Sequence, residues 1–203
     1  MLLYGASGHS KVILSCLRAQ GVKVNGLFDE TPDLKSLLEH EVMGVYDPLF
    51  MPEEPLIISV VNNLIRKRIC KNIQHTFGRA FHTTAIIDKD VLVGEGSVVM
   101  HNAVLQSGTR VGKHAIINTS VTIDYDCEVG DFAHISPGAT ICGNTKIGEG
   151  THIGAGASVI PNLRIGKWVT IGAGSVIICD IPDYAVVVGN PGKIIKYRNE
   201  RSH

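Results

Sequence analysis

Between Ile87 and Ile177 an aliphatic residue returns at every sixth position without a miss: Ile87, Val93, Val99, Leu105, Val111, Ile117, Ile123, Val129, Ile135, Ile141, Ile147, Ile153, Val159, Ile165, Ile171, Ile177. Two places before each stands a mostly smaller residue such as Ala85, Ser97, Ala103, Thr109, Ala133 or Ala157, with Val91, Val121, Leu163 and Val169 as apolar exceptions. A helix repeats every 3.6 residues and a strand every two, so a sustained six with paired inward residues is the hexapeptide pattern of a parallel β-helix. A longer period tells how the hexapeptides stack. Gly94, Gly112, Gly130, Gly148 and Gly166 recur every eighteen residues, so three hexapeptides make one triangular coil. Residues eighteen apart then lie above one another at the strand spacing of about 4.8 Å, and about five coils are expected. The glycines mark one corner, where a positive φ is expected. The hand of the coil does not follow from this arithmetic.

Composition sets the outer bounds. Hydrophobic residues make up 44% and charged residues 19% of 203 residues, as in a soluble globular chain of one or two domains. Lys+Arg 19 balance Asp+Glu 19, which gives no reason to expect nucleic acid or a membrane surface as partner. No apolar run approaches the roughly 18 residues of a transmembrane segment, and the N-terminus carries no secretory signal pattern. Cys16, Cys70, Cys127, Cys142 and Cys179 are scattered without a C-x-x-C pair, and read as thiols in a reducing, cytoplasmic setting.

Residues 1–80 have another rhythm. Met1 to Tyr4 is strand-like and runs into Gly5-Ala6-Ser7-Gly8-His9 and a helix from Val12 to about Gln20. A second strand ends at Asp29, a short helix is expected over 33–39 with Asp33 as N-cap, and a third strand covers Pro55 to Val61. Asn62-Asn63 caps a helix from Leu64 to Gln74 that carries Arg66, with Lys67 and Lys71 facing solvent. Strands alternating with helices predict a Rossmann-like α/β domain, followed by the β-helix over 81–203, whose tail leaves the repeat through Ile181-Pro182 and ends polar and frayed. A glycine turn opening a helix can hold phosphate, and a carboxylate ending the second strand can grip a ribose, although Gly5 and Gly8 form neither G-x-G-x-x-G nor a Walker loop. Asn63 and Arg66 lie at the strand edge where such sheets bind ligands.

Taken together, Gly5-Ala6-Ser7-Gly8-His9, Asp29, Asn62-Asn63-x-x-Arg66, the hexapeptides and Gly189-Asn190-Pro191-Gly192-Lys193 resemble the bacterial sugar O- and N-acyltransferases. These are typified by sialic acid O-acetyltransferases and by UDP-4-amino-sugar N-acetyltransferases of the bacillosamine pathway. The resemblance implies a left-handed β-helix, a homotrimer, acetyl-CoA between neighbouring prisms, and a nucleotide sugar held by Gly8, His9, Asp29, Asn63 and Arg66. One departure is Val61, where the family usually has glycine before the Asn pair.

Acyl transfer from a thioester needs an acceptor for the nucleophile's proton, a donor for the oxyanion, and a groove that aligns the reactants. The resemblance assigns the transfer point to Asn118, Asp126, His134 and Gly143, the last as oxyanion donor. It assigns the cosubstrate to His134, Gly143, Ala155, Ala173 and Lys193. In similar enzymes a histidine between two acidic residues is the base, but here the triplet is Asp124-Tyr125-Asp126. A phenol titrates near 10 and is a poor base at neutral pH. Three explanations stay open: an amine acceptor needs little base, His134 handles the proton, or the enzyme is catalytically weakened. An alcohol needs a base more than an amine does, so N-acetylation of a nucleotide-linked 4-amino-deoxy sugar is expected before O-acetylation of sialic acid. His101, His114, His134 and His152 include no close pair, so metal catalysis is not expected.

Overall fold

The computed structural model describes residues 1–198. The α/β domain is a three-stranded parallel sheet in the order β2 (Gly26–Phe28), β1 (Leu2–Tyr4), β5 (Leu56–Ile58). Leu2 pairs with both Gly26 and Leu56. Leu2, Leu3, Leu27, Leu56 and Ile57 are fully buried, which explains the unbroken apolar strands: both sheet faces are covered. Helix α1 (Gly8–Ala19) follows the glycine turn, and α2 (Asn63–Cys70) starts at Asn62, whose side chain accepts from the Leu64 and Ile65 N–H groups. The helix expected over 33–39 is absent. Asp33 and Leu38 have φ of 64° and 53°, and the segment forms a small antiparallel hairpin, β3 (Ser36–Leu37) with β4 (His40–Glu41). Left-handed residues break a helix, so an N-cap residue type alone was a weak signal there.

From Ala80 onward the chain is a left-handed β-helix prism with three faces. Face 1 carries the strand pairs Ala80–Phe81, Val98–Val99, Ile116–Ile117, His134–Ile135, His152–Ile153 and Thr170–Ile171. Face 2 runs in six strands from Ile86–Ile87 to Val176–Ile177, and face 3 in five from Leu92–Val93 to Arg164–Ile165. Each pairing among these strands joins residues eighteen apart, such as Leu105 with Ile123 and Ile135 with Ile153, and only the final closure shortens to sixteen, as from Thr170 to Val186. The six strands of face 2 make six coils rather than five. The last coil escaped the glycine count because it closes through the bridge from Ile165 to Ile181, where no glycine follows. Ile117, Ile123, Ile135, Ile141 and Ile153 are fully buried on the axis, each contributing roughly 1.5–3 kcal/mol by removal from water.

The eighteen-residue glycines have a different cause from the one expected. None has positive φ; the left-handed residues form their own six-residue series, Gly96, Asn102, Gly108, His114, Ser120, Asp126, Phe132, Gly138, Asn144 and onward to Gly174. A Cβ at Gly94 would lie 2.6 Å from the Gly112 carbonyl, and one at Gly148 would lie 2.6 Å from that of Gly166. These glycines let successive coils touch backbone to backbone.

The polar end of the tail, expected to be frayed, lies outside the described residues from 199 onward. Ala185–Val188 extends face 1 by pairing Val186 with Thr170, then turns and pairs antiparallel with Lys193–Tyr197. The two domains share one core: Leu3, Ile13, Leu14 and Leu17 pack with Ala80, Val98, Met100 and Ile116 on the outside of face 1.

Candidate functional site

The outward column of face 1 reads Val98, Ile116, His134, His152, Thr170, one residue per coil. The two apolar members are covered by the α/β domain. The two histidines stand above that cover and, with Asn63, Trp168 and Arg198, line a cleft of about 620 Å³ between residues 61–64 and the prism. Their rings stack with centroids 4.8 Å apart and planes 4° apart. Each is bonded to the residue sixteen earlier: Asn118 Nδ2 lies 3.2 Å from His134 Nε2, and Ser136 Oγ lies 2.8 Å from His152 Nε2. Asn118 Oδ1 already accepts from the Thr119 N–H. The amide therefore donates to His134 Nε2, which leaves the imidazole proton on Nδ1. Burial, followed by the charges of His152, Arg66 and His9, lowers His134 to about 3. Burial, then Arg198 and Arg66, lowers His152 as well. Both rings are neutral at pH 7. His134 is thus a strand residue, 5% exposed.

The glycine turn is built firmly. Gly5 has φ of 104°, and its carbonyl accepts from the Ser10 and Ser59 hydroxyls at 2.6 Å each. Asp29 clamps the turn by accepting from the Ala6 N–H at 2.6 Å and the Thr31 N–H at 2.8 Å. Partial burial pushes Asp29 up, but the Thr31 side chain and the two N–H groups outweigh it, so its carboxyl titrates below the usual range. Gly8 is exposed with open space around it, which leaves room for a close approach to the backbone. His9 is half-buried and its Nε2 has no partner among the described residues. Burial and the Arg66 charge lower it to about 4.

Arg66 differs from its expected role as a substrate contact. It is 1% exposed and donates to the carbonyls of His114 (2.9 Å), Val60 (2.9 Å), Val61 (3.0 Å) and Phe132 (2.8 Å) and to Asn63 Oδ1 (2.9 Å). Burial lowers it to about 9. Its donors are spent joining α2 to the prism. Asn63 borders the cleft, yet its amide is also engaged, donating to the Gly150 carbonyl at 3.0 Å. Lys67 does not face solvent either: it pairs with Glu149 and lies 5.2 Å from the Trp168 ring.

The remaining candidates fall on two different corners. Ala155 and Ala173, exposed and eighteen apart, sit between faces 1 and 2, on the same edge as Asn118. Among the described residues neither alanine N–H donates a hydrogen bond, although the Ala155 carbonyl accepts from Gly174. Tyr125, Asp126 and Gly143 sit between faces 2 and 3. One prism side separates the groups, about 15–20 Å for some six residues of extended chain. Within a single chain Tyr125 does not meet His134. The Tyr125 ring, 51% exposed, lies flat over Gly143, where a Cβ would come 2.5 Å from a ring carbon. The Gly143 N–H makes no hydrogen bond among the described residues. Asp126 is a left-handed corner residue whose N–H donates to the Ser107 carbonyl, and its carboxylate lies over Gly108. Lys193 is exposed on the tail strand. Among the described residues no three His, Cys, Asp or Glu side chains gather as a metal site, and no helix is long and apolar enough to cross a membrane.

Ser136, Trp168 and Arg198 were not anticipated. Ser136 and Trp168 lie eighteen residues above Asn118 and Gly150, so the register could have found them. Arg198 was missed although an apolar run, Gly-Asn-Pro-Gly and Lys-Ile-Ile-Lys-Tyr form a hairpin signal.

Residues 1–73 match the PglD N-terminal domain, and residues 126–159 and 144–179 match the bacterial transferase hexapeptide of six repeats. Among solved structures, perosamine N-acetyltransferase from Caulobacter crescentus, as a point mutant in complex with CoA and GDP-perosamine, is 31% identical over 96% of both chains, with a TM-score of 0.91. The acetyltransferase domain of PglB from Neisseria gonorrhoeae is 37% identical over 96% of this chain and 98% of that one, with a TM-score of 0.89. WeeI from Acinetobacter baumannii is 27% identical over the same shares, with a TM-score of 0.85. No curated protein sequence matches the chain.

Proposed function

Since the chain belongs to the hexapeptide-repeat sugar N-acetyltransferases, we propose that it acetylates the amino group of a nucleotide-linked 4-amino-deoxy sugar, with acetyl-CoA as cosubstrate. The observation that carries this reading is the shared cleft. The ligand-binding edge of the α/β domain, at residues 61–64, opens onto the prism face that presents His134. A nucleotide held by the Gly5-to-His9 turn, near Gly8, His9 and Asp29, would send its sugar along Asn63 toward that face.

Acetyl-CoA supplies an acyl carbon activated by its thioester, which the amine attacks with release of the free thiol. The chain's part is to place and desolvate the nucleophile. His134, neutral and accepting through Nε2 from Asn118, offers Nδ1–H as a donor. An imidazole lowered to about 3 takes up protons poorly, so the amine proton leaves after attack to water or to Asp126. The free N–H groups of Ala155 and Ala173 suit the amide carbonyls of a pantetheine arm, and Lys193 suits a phosphate. Tyr125, Asp126 and Gly143 join the site from a neighbouring chain of a homotrimer, because the prism side separates them from His134 within one chain. Light scattering that reports a monomer would remove them from the site.

The deciding experiment is a panel of UDP-, GDP- and dTDP-linked 4-amino sugars with acetyl-CoA, read by free thiol release, with sialic acid as the hydroxyl acceptor. Faster acetylation of the hydroxyl acceptor than of every amino sugar overturns the reading. A second reading, a weakened enzyme that still binds its ligands, is favoured by the Tyr125 ring lying over Gly143, where it covers the proposed oxyanion donor.

A further inference from the structure

We infer that Arg198 grips the diphosphate of the acceptor nucleotide sugar; this rests on the function proposed above. The first ground is charge. The cleft is walled by Asn62, Asn63, His134, His152, Trp168 and Arg198 among its polar and aromatic groups, and among the described residues no carboxylate lines it. Both imidazoles are held neutral by burial. Among the described residues Arg198 is therefore the one permanent charge in the lining, and no described acid or carbonyl pairs with its guanidinium. A cation with no acid among the described residues around it is complementary to an anion.

The second ground is placement. Arg198 is carried by a hairpin registered on face 1: Val186 pairs with Thr170, Tyr197 pairs with Ala185, and the Arg198 N–H donates to the Tyr184 carbonyl at 2.9 Å. The backbone is thus fixed where the side chain meets the cleft, close enough for its charge to lower His152. The opposite wall is the start of α2, at the ligand edge of the α/β domain. A ligand spanning from the glycine turn to His134 passes between them. The only strongly anionic part of a nucleotide sugar is its diphosphate, and a guanidinium binds phosphate oxygens in pairs. The phosphates of acetyl-CoA share that chemistry, so the test separates the two sources.

Arg198→Gln and Arg198→Lys are compared with the unchanged protein, all as full chains, by calorimetry with UDP, GDP, dTDP and the parent nucleosides. Acetylation kinetics are measured with each substrate varied. Expected for Arg198→Gln is about tenfold or more weaker binding of the preferred nucleoside diphosphate and a similar rise in the acceptor's KM. The nucleoside affinity, the KM for acetyl-CoA and the melting temperature should stay as they were, and Arg198→Lys should recover part of the loss. Unchanged diphosphate binding in Arg198→Gln, or a KM rise confined to acetyl-CoA, overturns the assignment and leaves the N-acetyltransferase reading standing. If the unchanged protein binds none of the three diphosphates, the assignment and the nucleotide-sugar reading fall together.

Discussion

The prism and the α/β domain both deliver polar groups to one cleft, but by different physics. In the prism, register places them: once residue n lies under residue n+18, His134 must lie under His152, and the contact of Asn118 with His134 repeats one coil up as Ser136 with His152. In the α/β domain, each group is placed by its own contacts, such as Asp29 on the Ala6 N–H or Ser10 and Ser59 on the Gly5 carbonyl. The prism is thus vulnerable wherever a column has no room. The domain junction depends instead on a few buried polar groups.

The sharpest way to break the comparison is at the junction. Arg66→Met removes donors from the carbonyls of Val60, Val61, His114 and Phe132 and leaves buried acceptors unpaired, at a cost of about 3 kcal/mol or more. Arg66→Lys should restore little, because one ammonium does not reproduce the planar fork of donors. Urea unfolding measures both. A loss below about 1 kcal/mol in Arg66→Met would mean that the apolar core shared by the domains holds them without this residue.

The next test separates the two kinds of glycine within the prism. A Cβ at Gly130 would meet the Glu149 N atom at 2.6 Å, whereas one at Gly138 meets nothing within 4 Å but needs a φ of +67°. Gly130→Ala should cost about 3 kcal/mol by forcing coils apart, and Gly138→Ala about 1 kcal/mol by backbone conformation alone. The reverse order in thermal unfolding would mean that the coils yield to a Cβ at Gly130 and that close backbone approach is not what demands glycine there.

The same contrast explains what could be read in advance. A sixfold aliphatic series admits one register, so the buried series from Ile117 to Ile153, the pairing of His134 with His152 and the three-sided coil were all legible. The cause of the Gly94 series was not, because composition shows that a glycine is needed without showing whether φ or space demands it. In the aperiodic domain the strand–turn–helix order was legible and the 33–39 segment was not, since residues with no repeat to register them are decided by neighbours distant in sequence. Arg66 shows the limit for the site: its position after Asn62-Asn63 was visible, but its commitment to the carbonyls of His114 and Phe132, nearly fifty and more than sixty residues later, was not.

A pH series probes both regions at once. His9, His114 and His134 are lowered to about 4, 4 and 3, in each case first by burial. The unfolded chain takes up protons at these sites near pH 6.5 while the native chain does not, so stability is full above that pH and is lost as pH falls toward 4. Melting temperature should therefore drop between pH 6.5 and 4.5, before carboxylates with ordinary values titrate. In His114→Phe, which keeps a ring stacked on Phe132, the slope should shrink without vanishing, because His9 and His134 remain. A flat profile in this window would mean that these imidazoles are hydrated and protonated in the native state.

The smallest expected effect concerns the corner between faces 2 and 3. A working general base is worth about a hundredfold or more, so Tyr125→Phe distinguishes a proton acceptor from a packed ring. The phenyl ring would still cover Gly143, leaving stability unchanged. If the amine proton leaves through water or Asp126, kcat with an amino sugar should fall by less than about threefold, far below the loss of a base. A hundredfold fall would make the hydroxyl a participant in the reaction. Tyr125→His then tests the weakened-enzyme reading from the other side. A large rise in kcat shows that the ring position was built to carry a base, and an unchanged or lower kcat shows that the cleft of face 1 works without one.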